Sequence, residues 1–548
     1  MRKAIQILAI LLFISAGQLF SQETLPPYHW ANSYLEYLKV RGYLPELSLI
    51  NRPFQRPEVA RLLLKIDWDR LAANPKDQRL VKTLYREFAG EIAREKQTDG
   101  ELGALLQKAL KFLHIDLNDL GIQPEQPSFK IGSFGEGMLD YSDETGNSLG
   151  RFHAHSQVGF YYKNKITFYN NFRIFNRADS DYIGKKFRGM FGFTEQGFLS
   201  YNNPWLQAKI GRDFLQIGPG RTGQLLISDN SRPFDMYYIR IGKRVIQFSF
   251  WGMSLDRRRI PSTSADSAFG GQYASRYLNG HRISVNIKNK YSFGVSEVVV
   301  YGGVNRNFEL AFINPFTFYH NITTNGPDNE SNSFVSLDWD LYPIKDWEIY
   351  GEFLIDDFQV DKKTPGDLEP NELGFLGGVE WSNPLGLKGG LFSVEYVQVR
   401  NRTYNAPVHD WEKFLHRNKV IGYALGNNLE RLRFSLAHWV HSDLRVTLIG
   451  DLVRQGEGSV KGIFNTDFLN FTVEQGYNEP FPFGVVQRRW LFGAKLFYNP
   501  NQWVNISAEI NTNSFNNYRH LEGFSHNRVT ARLSAWVQWD KIVKLARF

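Results

Sequence analysis

The sequence predicts a mostly β protein, a transmembrane outer-membrane β-barrel of about 18 antiparallel strands with a small N-terminal α-helical domain, and three observations predict it. Apolar and polar side chains alternate through segments of about ten residues from residue 128 onward, the period of a strand with unlike faces. The connections between these segments alternate between tight polar turns and longer stretches, as the two ends of an outer-membrane barrel require. Beyond residue 20 no apolar run approaches the roughly 20 residues that a membrane helix needs.

Taken in order, the chain of 548 residues opens with an address. Met1-Arg2-Lys3 is basic, Ile7 to Ile14 is unbroken apolar chain, and Ser15, Ala16 and Gly17 follow, which reads as a secretory signal peptide over residues 1–22. The sequence holds no cysteine, so disulfide scaffolds, thiolate metal sites and a lipid-modified N-terminal Cys are excluded.

Residues 23–120 read as a periplasmic helical bundle. Tyr34, Leu35 and Leu38, then Val59, Leu62, Leu63 and Ile66, recur at three- and four-residue spacing, one face of an amphipathic helix. Pro57 suits a first helical turn. Two further helices are expected over about Lys76 to Lys96 and Glu101 to His114. Pro124 and Pro127 make residues 121–127 a linker.

Residues 128–548 are the expected barrel. Ile283, Val285 and Ile287 oppose Arg282, Ser284 and Asn286, and Val504, Ile506, Ala508 and Ile510 oppose Asn505, Ser507, Glu509 and Asn511. Val529, Ala531, Leu533, Ala535 and Val537 oppose Arg528, Thr530, Arg532 and Ser534 in the same way. A soluble sandwich alternates likewise, so the connections carry the decision. Tight turns fall at 163–165, 201–204, 241–244, 288–290, 342–346, 382–386, 441–443 and 499–502, and longer stretches centre near 145, 181, 225, 266, 318, 365, 415, 470 and 519. Eight and nine connections join eighteen strands and leave both termini at the tight-turn end. Tyr161, Tyr162, Phe168, Tyr169, Phe497, Tyr498, Trp536 and Trp539 cluster toward strand ends, where interfacial girdles lie. The terminal Phe548 resembles a signal read by the barrel assembly machinery, although Ala546, Lys544 and Asp540 form no apolar row, so the last strand is expected to stop near Trp539.

Several local patterns imitate active sites. Gly218-Pro219-Gly220-Arg221-Thr222-Gly223 matches a dinucleotide fingerprint in letters, but no helical pattern follows to offer its N-terminus to a pyrophosphate, so a turn is expected. Glu352 and Asp356 lie about 13 Å apart on one strand at roughly 3.3 Å per residue, beyond the about 5–9.5 Å of a glycosidase pair. With Asp357 they read as lumen-facing acids. His153 and His155 share a strand face without a clear third ligand, which is a weak metal site. No metal, cofactor or Ser-His-acid grouping is expected, and the net charge of +8 demands no nucleic acid. Arg257-Arg258-Arg259 in one outer loop, with Arg221 and Arg232 in the loop before it, are forks suited to carboxylates and phosphates, whether on an anionic glycan or on lipopolysaccharide; ordinary solvated loop chemistry is the other reading.

Gly211-Arg212-Asp213, Gly218-Pro219-Gly220 and the run Gln224 to Phe234, which holds Asp229, Asn230 and Arg232, resemble the signature of the capsule assembly protein Wzi family. Gly280-His281-Arg282-Ile283 with Val295-Ser296-Glu297, Tyr350-Gly351-Glu352 with Asp356-Asp357, and Arg56-Pro57-Glu58-Val59-Ala60 are similar to it in the same order. Gln216-Ile217 departs from the family's aromatic pair, and Glu297 shares a strand face with Phe293, Val295 and Val299, so an inward Glu297 would need a bulge. The resemblance implies a noncatalytic surface lectin that attaches or organises capsular or extracellular polysaccharide, with Arg221, Asp229, Asn230, Arg232, Arg257, Arg258, Arg259 and Arg282 as candidate contacts. A monomer among outer-membrane lipids and lipopolysaccharide is expected. An eighteen-strand barrel is also wide enough for a diffusion porin, and an outer-membrane hydrolase is the third class.

Overall fold

The computed structural model describes residues 23–95, 128–162, 165–178, 182, 184–260, 270–325, 331–360, 362–501 and 503–544. The expected signal peptide, the helix Glu101 to His114, the linker and Phe548 lie outside them.

Among the described residues five helices come first: α1 (Ala31–Val40), α2 (Arg56–Leu64), α3 (Trp68–Ala72), α4 (Pro75–Glu87) and α5 (Ala89–Glu95). Pro57 occupies the first turn of α2, where its missing N–H costs nothing. Asp67 caps α3 by accepting from the amides of Asp69 and Arg70. The helix expected over Lys76 to Lys96 breaks at Phe88, which is fully buried between α4 and α5. Leu35, Leu38, Val59, Leu63, Leu80 and Leu84 form one core that continues into Tyr342, Leu391 and Trp439 of the barrel. Tyr34 and Tyr37 pack on the Trp439 ring at 5.5 and 4.7 Å, and Arg41 joins Asp77 to Asp346 in a tight turn. The helical region therefore sits against the tight-turn end.

Eighteen strands close the barrel: β1 (Ser128–Ser142), β2 (Asn147–Tyr162), β3 (Ile166–Phe175), β4 (Phe191–Asn202), β5 (Leu206–Asp213), β6 (Phe234–Lys243), β7 (Ile246–Ser254), β8 (Tyr273–Ile287) and β9 (Tyr291–Gly303) make the first half. β10 (Ser331–Leu341), β11 (Trp347–Asp357), β12 (Glu372–Ser382), β13 (Gly390–Val399), β14 (Leu429–His441), β15 (Leu444–Gln455), β16 (Gln487–Asn501), β17 (Val504–Asn516) and β18 (Ser525–Lys544) make the second. Each pairs antiparallel with its neighbours in sequence, and β1 pairs with β18 from Ser128 opposite Lys544 to Ser142 opposite Thr530. That closure leaves no free edge. Outward Ile283, Val295, Ile510 and Leu533 are each 51–53 % exposed, as a lipid-facing band requires.

The strands reverse within a few residues of each expected tight turn, although β16 runs on to Asn501 and residues 163, 164 and 502 lie outside the described residues. Three details differ. The connection near 145 is only residues 143–146, closed by Gly146 at φ 62°. β18 runs past Trp539 to Lys544, because Asp540 faces inward onto Lys130 at 3.5 Å and the backbone ladder to β1 needs no apolar side chain. Of the aromatics expected in girdles, Tyr162, Phe168, Tyr498 and Trp539 face outward, while their neighbours Tyr161, Tyr169, Phe497 and Trp536 alternate into the interior. Glu297 needs no bulge: β8 and β9 stay in regular register. It faces outward beneath the 304–330 connection, which carries α6 (Leu310–Ile313) and α7 (Tyr319–Asn325), and accepts from the amides of Tyr319 and His320 at 3.0 and 2.8 Å.

Candidate functional site

The barrel interior is built around the chain between β5 and β6, residues 214–233, which turns into the lumen. Gln216-Ile217 pairs with Asn51-Arg52 from the helical region, and the Gly218 amide donates to the Ile50 carbonyl at 3.1 Å. Beneath this loop lie inward carboxylates of β11 to β13. Glu352 accepts from the amides of Gly220 (2.8 Å) and Leu225 (2.6 Å), and Glu395 from those of Arg221 (2.7 Å) and Thr222 (3.0 Å). The Arg221 guanidinium lies over the Tyr350 ring and pairs with Glu348 at 2.5 Å and Glu380 at 3.3 Å.

The glycines are there for closeness. A Cβ on Gly218, whose φ is 116°, would sit 2.3 Å from a Glu352 oxygen, and one on Gly220 2.1 Å from the Gly223 carbonyl. The dinucleotide-like spelling thus belongs to a loop pressed onto a carboxylate, with no helix after it. The same contacts explain Glu352 as an anchor for backbone donors, and Asp356 likewise accepts from the Tyr404 amide at 2.6 Å.

Arg282 is fully buried and holds the helical region to the wall. It donates to both oxygens of Asp338, at 2.5 and 2.9 Å, and to Asn51 Oδ1 at 2.8 Å. Above the loop, Leu225, Leu226 and Ile227 pack under Tyr404, Phe414, Ile421 and Tyr423 from the 400–428 connection. Ser228 Oγ donates to the Gly422 carbonyl and Asn230 Nδ2 to that of Val420 (2.9 Å). This half of the lumen is filled.

The candidate contacts therefore separate. Arg221, Arg282 and Asn230 are engaged inside. Asp229 faces a cavity of about 740 Å³ between the loop, the helical region and the opposite wall and is exposed to it. Arg232, Arg257, Arg258 and Arg259 lie toward the long-loop end. Arg257 and Arg259 are exposed. Arg258 stands 3.9 Å from Asp256 and 3.4 Å from Asn418, and Arg232 stacks over Phe193 (4.2 Å) and Tyr182 (5.1 Å).

Two members were not read as contacts in the sequence, Arg417 not at all and Arg212 only as a letter of the Gly211-Arg212-Asp213 signature. Arg417 sits in the tight reversal between Leu415-His416 and Lys419-Val420, and burial together with Arg212 and Arg232 pushes its guanidinium pKa down, a sign of like charges gathered at one place. Arg212 pairs with Asp235 at 2.6 Å. Lone arginines on separate segments give no local signal.

His153 and His155 touch each other at 3.2 Å and are held by Glu136 and Asn171. Among the described residues no group of three metal-ligating side chains comes together.

A family model described as capsule assembly protein Wzi matches residues 143–525. The solved structure of Wzi from Escherichia coli, an outer-membrane protein involved in group 1 capsule assembly and a carbohydrate-binding β-barrel, is similar at 13% identity, with 95% of this chain and 99% of that one covered and a TM-score of 0.56. Pseudomonas aeruginosa OccD3 (8% identity, 75% and 91% covered) and OccK1 (9% identity, 75% and 99% covered) align with TM-scores of 0.43. No curated protein matches the chain.

Proposed function

Because the chain belongs to the capsule assembly protein Wzi family, we propose that it is a noncatalytic outer-membrane protein that binds capsular or extracellular polysaccharide and helps attach or organise it at the cell surface. In this reading the helical region is periplasmic, since it packs on the tight turns that face the periplasm in such barrels. The barrel machinery assembles the chain as a monomer among lipopolysaccharide.

The observation that carries the reading is the long-loop rim, where Arg212, Arg232 and Arg417 gather and the run Arg257 to Arg259 adjoins them through Asn418, with exposed Tyr273 opposite Arg259. Guanidinium forks match carboxylates bidentately, and aromatic faces give an apolar surface for sugar rings. A lumen half filled by the loop over its carboxylates fits retention of a chain better than free diffusion through the barrel.

The test is the Arg257→Gln, Arg258→Gln, Arg259→Gln triple variant on intact cells. Surface-retained polysaccharide is expected to fall severalfold while barrel levels in the outer membrane stay unchanged. Unchanged retention would remove this rim from the function.

A further inference from the structure

The two halves of the inner wall meet very different surroundings. The carboxylates Asp338, Glu348 and Glu380 have side-chain exposures of 0–4 % under the loop. Across the lumen, on β14 to β18 with β1 and β2, the inward positions carry cations that the loop does not cover: Arg489 and Arg532 are 25 and 48 % exposed.

These cations are stacked in rungs. One rung crosses neighbouring strands through Lys495, Glu509, Arg532 and Asp140. Another, toward the long-loop end, holds Arg433 opposite Asp451 and Arg528 opposite Asn513. Toward the tight turns Arg445 faces the 740 Å³ cavity with Lys495, Asn505 and Trp536. From Arg445 to Asp451 the strand rises about 20 Å, at roughly 3.3 Å per residue.

Positive charge is in excess along this strip. Asp451 alone serves Arg431 (2.7 Å), Arg433 (3.5 Å) and Arg489 (3.4 Å). Asp140 serves both Arg151 and Arg532 at 2.5 Å. Arg445 has no carboxylate partner among the described residues and rests against Trp439 and Phe497. Buried Nε atoms of Arg445, Arg489 and Arg528 and the Oδ1 of Asn505 find no hydrogen-bond partner in the protein. Buried polar groups are ordinarily satisfied, so the three Nε–H groups mark places for acceptors from outside and the Asn505 Oδ1 a place for a donor such as a hydroxyl.

We propose that this basic inner strip is a second binding site, taking a segment of an acidic polysaccharide chain, one bearing carboxylate or sulfate groups, laid along the uncovered half of the lumen. The inference rests on the glycan-binding reading above and adds to it the charge of the glycan and a place inside the barrel. Carboxylates spaced along a saccharide would enter the shared Asp451 and Asp140 clusters, where each guanidinium has donors to spare, while hydroxyls meet Asn505, Ser507 and Ser534.

The experiment uses the full chain in detergent, with oligogalacturonate as the acidic probe and a maltooligosaccharide as the neutral one, followed by calorimetry. The Arg433→Gln, Arg489→Gln, Arg532→Gln variant is expected to lose at least tenfold in affinity for oligogalacturonate, with a shallower salt dependence. The corresponding Lys variant is expected to keep most of the binding. Undiminished affinity in the Gln variant, or no binding of oligogalacturonate by the unaltered chain, would overturn the site. Loss confined to the Arg257 to Arg259 variant would likewise overturn the inner site and leave the rim reading standing, whereas loss confined to the inner variant would support it and remove the rim. If the triple variant fails to assemble, Thr530→Cys supplies the readout, since the protein has no other cysteine. A sulfonate-bearing thiol reagent is expected to react faster than a quaternary-ammonium one and to be slowed by oligogalacturonate. Equal rates without protection would overturn the proposal.

Discussion

One half of the barrel's inner wall is acidic and covered, the other basic and open, and both arise from the same alternation of inward polar and outward apolar residues. What differs is the partner. The 214–233 loop presents backbone amides and Arg221, and the helical region presents Asn51 beside Arg282. Amides and guanidinium groups are donors, so they settle on the wall that carries acceptors. The arginines of β14 to β16 are donors too and receive little from the loop; they share Asp451 instead. A plug made mostly of donors thus selects the acidic wall and leaves the basic one uncovered.

Removing the plug should break this contrast most completely. Replacing residues 218–231 by a short Gly-Ser linker frees Glu348, Glu352 and Glu395 at once, and steady conductance in a planar bilayer is expected to rise severalfold over the full chain. Conductance that stays at the parent level would mean that the helical region and the 400–428 connection close the lumen by themselves.

Arg282→Ala tests the covered half at one point. It strands Asp338, which has 1 % side-chain exposure, and releases Asn51. Breaking one side of such a buried pair costs about 3–5 kcal/mol, visible as a lower urea midpoint for the heat-modifiable barrel. A midpoint within error of the parent's would show that water reaches Asp338. Glu352→Ala acts on the loop rather than on the wall. The amides of Gly220 and Leu225 lose their acceptor, at about 1–3 kcal/mol for each group left unsatisfied, and the loop is expected to exchange its amide hydrogens faster while the strands do not.

The covered half was also the less legible in the sequence. Turn chemistry is local, so Lys288-Asn289-Lys290, with φ of 54° and 58° at its first two residues, could be placed without knowing its neighbours. The period-two pattern likewise placed Arg528 and Arg532 on a polar face together. Arg282 with Asp338 and Arg221 with Glu348 are 56 and 127 residues apart, and no local pattern gives the register that joins them. The run Arg257 to Arg259 announced itself, whereas Arg417 needed the fold to bring it to Arg212 and Arg232. Tyr161 and Tyr162 show the finest limit: adjacent aromatics read alike, yet one enters the lumen and the other meets lipid.

The smallest expected effect falls on the open half. Arg433 has 29 % side-chain exposure and reaches Asp451 only at 3.5 Å, while Arg431 already holds that carboxylate from both oxygens at 2.7 Å. A partly solvated pair contributes roughly 0–1 kcal/mol, and removing one of three cations around one acid also relieves repulsion among the other two. Arg433→Gln is therefore expected to leave the urea midpoint within about 0.5 kcal/mol of the parent, in the same assay that registers Arg282→Ala strongly. A large loss at Arg433 would show that the basic wall is as tightly built into the fold as the acidic one, and its exposure would no longer mark it as a surface left open for a ligand.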